Sequence, residues 1–378
     1  MSALVVVFAA LLGSVVGSFA NVVVYRLPRG ESVVHPGSHC PSCNRRLGVL
    51  DLVPVLSYLA LGGRCRTCKA RISPRYPLVE AAMALLFAAI ALRWPALDAG
   101  AAMVPLMAVT ALLLMAAIID IEHFVLPDAL TLPAVAVGVL GAFLTGWAPD
   151  LPRPAAALAG ALAGAGVLVL INRIGALVLR RFADTKERLW PISLDQVNVA
   201  AVAGAFGGVT VGVLVGLASV LVSIVAKRPV RLPEPLAYGL WAVGLVVSTT
   251  SLTVPTVTAV AGSVLAAGAW ALIGATYWWV ADGISGENEA DEADEEPVAM
   301  GFGDVKLAAA IGAILGWEKL LVAIFFAVTL GAIGGVAARL AGGSRVVPFG
   351  PYLVAGGLIA LFVGDAVIAW YFGLLGVS

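Results

Sequence analysis

Charged side chains are rare in this chain. Only 12% of its 378 residues are Asp, Glu, Lys or Arg, whereas 61% are hydrophobic and the mean hydropathy is +1.01. This shortage excludes a soluble globular protein, because no soluble domain needs so much apolar surface. Continuous apolar runs of about 20 residues are typical of membrane spans, and a bilayer admits only helices or closed barrels. The sequence therefore predicts an all-α polytopic membrane protein.

Positive charge is also missing ahead of the first apolar run, residues 2–24. A secretory signal peptide carries its positive charges before the apolar stretch, so this run is not predicted to be one. Nine Lys and Arg residues follow in the segment 25–75, against only Glu31 and Asp51. The positive-inside rule then places this loop in the cytoplasm and the N-terminus outside. The same rule accounts for the basic residues of this loop, so nucleic acid is not predicted as a partner.

The apolar runs divide into about twelve candidate transmembrane helices, some of them short. The predicted spans cover residues 3–24, 78–95, 100–120, 129–147, 154–179, 197–209, 211–226, 236–254, 257–281, 303–316, 319–340 and 349–373. The pair within 197–226 can instead form one long helix that flexes at Gly207 and Gly208.

An internal repeat links two of these spans. The residues around Gln196 (Asp-Gln-Val-Asn-Val-Ala-Ala) match those around Asp304 (Gly-Asp-Val-Lys-Leu-Ala-Ala). We interpret the match as a duplicated four-helix unit, 154–254 and 257–373; the alternative is chance similarity between helices rich in Ala, Gly and Val. The first copy has an amide where the second has an acid. An even number of added spans keeps Asp304 on the same side of the membrane as Asp120.

Two acids stand at the ends of apolar segments. Asp120 ends the run 111–120, and Asp304 follows Gly301, Phe302 and Gly303 at the start of another run. Ionisable groups at membrane depth are costly and are functional candidates by default. If the two carboxyl groups face one another, they can share a proton around a water, as in aspartic proteases. Taken singly, each acid is equally well a helix cap or a satisfied polar group.

Four nearby residues are candidates for supporting this pair. Gly301 and Gly303 lack side chains, so an extended substrate can approach Asp304 closely. Asp128 follows Pro127 and can cap a helix or line the site. Lys306 can hold substrate or tune the acid, or it can simply extend to the membrane interface.

All four cysteines of the chain lie in the cytoplasmic loop. Cys40 and Cys43 form one CxxC pair, and Cys65 and Cys68 form another. Paired CxxC units at this spacing predict a structural zinc site with four thiolate ligands. A reducing compartment argues against disulfides, and a redox pair remains the alternative. A closed four-thiolate site shapes the loop rather than catalysing.

Seven of the ten residues from 287 to 296 are acidic. A block of this kind within a loop (286–297) is usually a solvated, disordered segment. The alternative is a strip that docks a basic segment of a substrate.

These features together resemble the bacterial type IV prepilin peptidases, the leader peptidase/N-methyltransferases of the GxGD intramembrane aspartic proteases. The resemblance is carried by the two CxxC pairs and by the segments 17–28, 75–80, 120–128, 301–307 and 348–351. It implies that Asp120 and Asp304 are the catalytic acids of an enzyme in the bacterial inner membrane. Such an enzyme cuts prepilins or pseudopilins at the cytoplasmic face, after the glycine that ends a short basic leader. It then methylates the new N-terminus with S-adenosylmethionine.

The chain departs from this family in its length, because an eight-helix core is expected there and the duplicated unit adds four helices. We therefore divide it into an N-terminal module with the zinc loop (1–95), a first peptidase part (96–153), an extra non-catalytic unit (154–256) and a second peptidase part (257–378).

Methyl transfer needs a cofactor site, and no dinucleotide-type glycine fingerprint is present. The N-terminal module is then the expected location. Its candidates are Asn21, Arg26 and Glu80, which can instead anchor the cytoplasmic loop.

Three rival functions remain at this level. One is a peptidase without methyltransferase activity, and another is an assembly scaffold built on the zinc loop. The third is an ion-coupled transporter, since repeats with intramembrane acids also describe carriers. Carrier sites lie at the bilayer midplane, however, whereas both acids here lie at a cytoplasmic boundary.

Overall fold

A computed structural model of the chain describes residues 3–94, 103–145, 150–179, 191–250, 255–285, 301–342 and 347–376. Within these ranges the regular structure is helical, with only two isolated bridges in the loop 25–75. The helices are α1 (Ala3–Arg26), α2 (Leu56–Ala60), α3 (Arg75–Arg93), α4 (Met103–His123), α5 (Asp128–Thr145), α6 (Pro154–Leu179), α7 (Leu194–Ala226), α8 (Glu234–Thr250), α9 (Thr256–Ser285), α10 (Phe302–Leu340) and α11 (Gly350–Leu374).

The all-α membrane fold predicted from composition is confirmed. Eight of the described helices are long and apolar enough to cross a membrane. The predicted count of twelve spans is not confirmed and stays a prediction. The acidic loop 286–297 lies outside the described residues.

Two long helices reverse direction at a glycine. In α7 the backbone at Gly208 has φ 78°, and in α10 the backbone at Gly316 has φ 74°, a region that favours glycine. In α7 the arms pack side by side, because a Cβ atom added to Gly212 would lie 2.7 Å from the carbonyl oxygen of Ala200. The short predicted spans are therefore arms of helical hairpins, and the flexure expected near Gly207 and Gly208 is present.

The two hairpins begin in the same way, as a duplication predicts. The side chain of Gln196 accepts a hydrogen bond from the N–H of Ser193 (2.7 Å), and that of Asp304 accepts one from the N–H of Gly301 (3.1 Å). In both hairpins the glycine at the reversal follows twelve positions later. Gln196 thus occupies the structural position of Asp304.

The two copies also pack on each other reciprocally. A Cβ atom on Gly312 of α10 would lie 2.1 Å from the carbonyl oxygen of Gly160 of α6. The equivalent crossing joins α7 and α9, where a Cβ atom on Gly204 would lie 2.4 Å from the carbonyl oxygen of Gly262. Each copy therefore supplies one helix to the other, and only glycine permits these backbones to approach so closely.

The first arm of α10 is the centre of the bundle and carries Asp304 at its start. Residues Val305 and Leu307–Ile311 have no exposed surface, because α4, α5, α6 and α11 surround this arm. At the opposite end, Lys319 pairs with Asp365 of α11 (2.7 Å). Asp365 therefore has a structural role, because it ties α11 to the second arm of α10.

Candidate active site

Asp120 and Asp304 come together although they are far apart in the sequence. Asp120 lies near the end of α4 and Asp304 in the first turn of α10, and each is only 6% exposed. The N–H of Gly350 donates to Oδ2 of Asp120 (3.1 Å), and the N–H of Gly301 donates to Oδ2 of Asp304 (3.1 Å). Leu126 connects the two positions, because its side chain lies against Gly303, which precedes Asp304, and against Gly350, whose N–H binds Asp120. Helix ends α4, α10 and α11 therefore form one acidic site.

Each acid is held by one oxygen only. With Oδ2 engaged by a glycine N–H, Oδ1 of Asp304 is buried and has no hydrogen-bond partner among the described residues. An unpaired buried acceptor is costly, so native structures keep such groups mainly where a ligand or a reaction uses them. This oxygen is free to accept a proton from a water or to donate one to a substrate carbonyl.

The glycines around the acids have different roles. A Cβ atom on Gly350 would lie 2.5 Å from Oδ2 of Asp120, so this position requires glycine to reach the acid. A Cβ atom on Gly303 would lie 2.6 Å from Cβ of Leu126, so the space beside Gly303 is filled by the side chain of Leu126. A Cβ atom on the exposed Gly301 would meet only the backbone nitrogen of Gly303, at 3.9 Å. Space for a substrate was expected beside both glycines, and the structure leaves it only beside Gly301.

The sequence offered Leu126 and Gly350 only as parts of two family motifs, 120–128 and 348–351, and gave neither a role in the site. The side chain of Leu126 lies between the two glycines, because its Cδ1 atom is also 3.3 Å from the Cβ position of Gly350. No local pattern identifies such a residue, since it depends on three chain segments that meet.

The two polar supporting candidates pair with each other. Nζ of Lys306 forms an ion pair with Oδ1 of Asp128 at the start of α5, and it lies 5.8 Å from the centre of the Phe302 ring. Lys306 is buried, and whether it holds substrate, tunes the acid or extends to the membrane interface stays a prediction. The pair fixes α5 to α10 immediately beside the acids.

The cysteines form one cluster, as their spacing predicts. Their four sulfur atoms all lie within 4.8 Å of one another and could hold a metal ion. Each CxxC pair is a tight turn of the same design. The N–H of Cys40 donates to the carbonyl of Arg45 (2.9 Å), and that of Cys65 donates to the carbonyl of Ala70 (2.8 Å).

The surroundings of Cys40 and Cys65 favour thiolates. Backbone N–H groups of Ser42 and Cys43 lower the pKa of the Cys40 thiol. Those of Cys68 and Thr67 lower the pKa of the Cys65 thiol to about 6. At Cys68 the N–H of Ala70 lowers the pKa, but burial and the neighbouring cysteine sulfurs raise it, to about 11 overall. Metal ligation requires the deprotonated sulfur, so the lowered pKa values of Cys40 and Cys65 favour binding of a cation.

Asp51 joins the two cysteine turns. Its carboxylate pairs with Arg45 beside the first turn (3.0 Å) and with Arg66 inside the second turn (2.7 Å). The hydrogen bond from Arg66 and the N–H of Gly48 lower the pKa of Asp51. One acidic residue of a basic loop thus connects both halves of the cluster.

The three methyltransferase candidates lie where the N-terminal module meets its loop. Arg26 donates to the carbonyls of Ser32 (2.9 Å) and Pro36 (2.7 Å). Glu80 accepts from the N–H of Val55 (2.7 Å). Both contacts match the loop-anchoring alternative, and a role in methyl transfer stays a prediction.

Asn21 differs from the other two. Its Nδ2 donates to the carbonyls of Gly17 and Tyr76 (3.2 Å each), which links α1 to α3. Its Oδ1 is buried and has no partner within the described part of the chain.

Comparisons with known proteins identify two domains. The model of the bacterial peptidase A24 N-terminal domain matches residues 11–94, which include all four cysteines. The model of the type IV leader peptidase family matches residues 227–336, which include Asp304 but not Asp120. No solved structure matches the chain.

Curated relatives carry related names. The type 4 prepilin-like proteins leader peptide-processing enzyme of Escherichia coli O78:H11 is 36% identical over 230 residues, 53% of this chain and 82% of that protein. The prepilin leader peptidase/N-methyltransferase of Myxococcus xanthus is 40% identical over 179 residues, 47% of this chain and 51% of that protein. The one of Pseudomonas putida is 28% identical over 396 residues, 98% of this chain and 95% of that protein. On this similarity, and with both domains present, the chain belongs to the type IV leader peptidase family.

Proposed function

We propose that this protein is an intramembrane aspartic endopeptidase that removes the leader of prepilin-like proteins and then methylates the new N-terminus. The observation that carries the proposal is the meeting of Asp120 and Asp304, each held by one glycine N–H. Two adjacent carboxyl groups do not both ionise easily, so they share one proton. That is the state needed for hydrolysis by an acid and a base acting together.

The reaction follows from this shared proton. The ionised carboxylate takes a proton from water while the oxygen of that water attacks the peptide carbonyl carbon. The protonated acid gives its proton to the carbonyl oxygen, and a tetrahedral intermediate forms. A proton then passes to the amide nitrogen, the C–N bond breaks, and a carboxylic acid and an amine are released. Oδ1 of Asp304, which has no partner among the described residues, is the atom that we assign to this proton exchange.

The substrate is a prepilin or pseudopilin cut after the glycine that ends its basic leader. The relatives are named for prepilins and for leader removal. The loop 25–75, with nine basic residues, argues for a cytoplasmic location of the site, since Glu122 beside Asp120 pairs with Arg75 of this loop. We therefore place the N-terminus outside and the acids at the cytoplasmic face of the bacterial inner membrane. Gly301 is exposed, and a Cβ atom there would make only an ordinary contact, so an extended chain can approach it.

We assign the chain to four parts: the methyltransferase module (1–95), the two peptidase parts (96–153 and 257–378) and an extra unit (154–256). The extra unit is non-catalytic because Gln196 replaces the acid and an amide exchanges no proton at neutral pH. The methyl donor, S-adenosylmethionine, supplies an activated methyl group for the amine that cleavage releases.

The rival functions are less well supported. A carrier binds its ion on broken helices at the midplane, whereas both acids here lie at helix ends. A scaffold has no need of an unpartnered buried carboxyl oxygen. A peptidase without methyl transfer remains the second candidate, because Arg26 and Glu80 have loop-anchoring contacts.

Mass spectrometry of a processed substrate tests the proposal. The purified protein in detergent is incubated with a prepilin whose leader ends in glycine, with and without S-adenosylmethionine. We expect cleavage after that glycine in both reactions and one added methyl group only with the donor. Cleavage without methylation would support the second candidate. An intact substrate, or a cut elsewhere, would contradict the peptidase.

We also assign zinc to the four cysteines. The sulfur atoms of Cys40 and Cys68 are 3.8 Å apart, and the ligands of a tetrahedral site with Zn–S bonds of about 2.3 Å are separated by about 3.8 Å. Metal analysis of the purified protein should find one zinc ion per chain, and Cys65→Ser should lose it. The exposed Ser42→Ala, inside the first CxxC pair, is the matched control and should keep its zinc. Full zinc content in Cys65→Ser would contradict the assignment.

A further inference from the structure

Arg75 joins the N-terminal module to the helix that carries Asp120. It is the first residue of α3, and its Nη1 atom pairs with Oε1 of Glu122 in the last turn of α4 (3.1 Å). Glu122 follows Asp120 by two residues. The guanidinium group therefore lies at the junction between the module proposed for methyl transfer and the peptidase part.

The other edge of this guanidinium has no partner. Both Nε and Nη2 of Arg75 are buried and make no hydrogen bond to any residue that the structure describes. These two donors point the same way from one edge of the planar group, which is the edge that binds both oxygens of a carboxylate. Glu122 fixes the orientation of the group from the Nη1 side, so the free edge is held in place before any ligand arrives.

A second unpartnered group is connected to the same turn of α3. Asn21 is 4% exposed, and its Nδ2 donates to the carbonyl of Tyr76, the residue next to Arg75. Its Oδ1, an acceptor only, is buried without a hydrogen-bond partner in the described ranges. Near the start of α3 the module thus offers two adjacent donors, Nε and Nη2 of Arg75, and one acceptor, Oδ1 of Asn21. A carboxylate and an ammonium group on one carbon, the α-amino acid group, have the complementary chemistry.

We propose that the Nε and Nη2 edge of Arg75 binds a ligand carboxylate, and that Oδ1 of Asn21 accepts a hydrogen bond from the ammonium group of the same ligand. The inference rests on the proposed function, which supplies two carboxylates of this kind. One is the α-carboxylate in the amino acid part of S-adenosylmethionine. The other is the carboxylate created at the end of the leader by cleavage. The acceptor on Asn21 favours the methyl donor, because only that ligand has an ammonium group on the same carbon.

Matched ligand pairs test the inference and distinguish the two sources. In the first arm, binding of S-adenosylmethionine to the full-length protein in detergent is compared by calorimetry with binding of decarboxylated S-adenosylmethionine. In the second arm, inhibition of cleavage by a leader peptide with a free C-terminal carboxylate is compared with inhibition by its amide. Each measurement uses the wild-type protein, Arg75→Gln, Arg75→Lys and the control Arg71→Gln. Arg71 is exposed on the same loop and controls for loss of one positive charge.

We expect Arg75→Gln to weaken binding of one carboxylate ligand by about tenfold to a hundredfold, the range for hydrogen bonds to a charged group. Its counterpart without the carboxylate should bind as it does to the wild-type protein. Arg75→Lys keeps the charge beside Glu122 but loses the two adjacent donors, so it tests the same point in a protein that retains the ion pair. Arg71→Gln should leave both arms unchanged.

Loss in the first arm identifies the methyl donor, and loss in the second identifies the leader. Equal loss for both members of a pair, or no loss in either arm, would overturn the inference. Failure of the proposed peptidase is detected separately, because it removes cleavage from the wild-type protein and leaves the calorimetric comparison of the first arm intact.

Discussion

Asp120→Asn and Asp304→Asn should each slow prepilin cleavage by about a thousandfold or more. General acid–base catalysis contributes about 10²- to 10⁴-fold, and an amide performs neither half of it. Asparagine has nearly the same shape as aspartate, and its side-chain oxygen can still accept the N–H of Gly350 or Gly301 that holds each acid. The substitution therefore separates catalysis from the alternative in which each acid is merely a helix cap. Initial rates of cleavage of a purified prepilin measure the effect.

The double variant gives a stricter test. Because both acids act on one water, removing the second should cost little once the first is lost, as for other groups that work as a unit. Asp195→Asn, next to Gln196 in the first turn of α7, is the matched control and should cleave normally. Equal thermal unfolding temperatures would show that the variants are folded. Cleavage within about tenfold of the wild-type rate in either folded single variant would rule out this mechanism.

The sequence predicts the features that depend on the succession of residues within a short segment. The scarcity of charge and the apolar runs give the helical membrane fold, and the spacing of the cysteines gives their cluster. The match around Gln196 and Asp304 is followed by the same cap and the same reversal in the structure. Each of these signals lies within a short segment, so a single sequence is enough to detect it.

What the sequence does not predict depends on helices that meet across the bundle. The place of Leu126 between Gly303 and Gly350 involves three separate segments. The pairing of Arg75 with Glu122 joins two modules, and its significance depends on atoms that lack partners. Composition and periodicity record which residues are apolar, but they carry no information about which polar groups face each other.

The ion pair of Lys306 and Asp128 is the clearest example, and breaking it should destabilise the protein. Both were predicted as separate supporting residues, yet the structure pairs the buried Lys306 with the partly exposed Asp128. Lys306→Met leaves the carboxylate of Asp128 without its partner. Removing one member of a fully buried pair costs about 3–5 kcal/mol, and we expect a cost below that range here because the side chain of Asp128 is 20% exposed. We expect a marked fall in the thermal unfolding temperature in detergent. The first copy carries Asn198 at the position of Lys306, so the pair is specific to the copy that contains Asp304.

Removing both charges separates lost attraction from an uncompensated charge. Lys306→Met combined with Asp128→Leu should recover much of the lost stability, since apolar replacement of both members of a buried pair is often neutral. Lys227→Met, an exposed lysine at the end of α7, is the matched control and should unfold like the wild-type protein. If the double variant were as unstable as Lys306→Met alone, the cost would not come from the unpaired carboxylate. If it were stable but cleaved slowly, the pair would position α5, and with it Leu126, over the two acids, because Asp128 begins that helix two residues beyond Leu126.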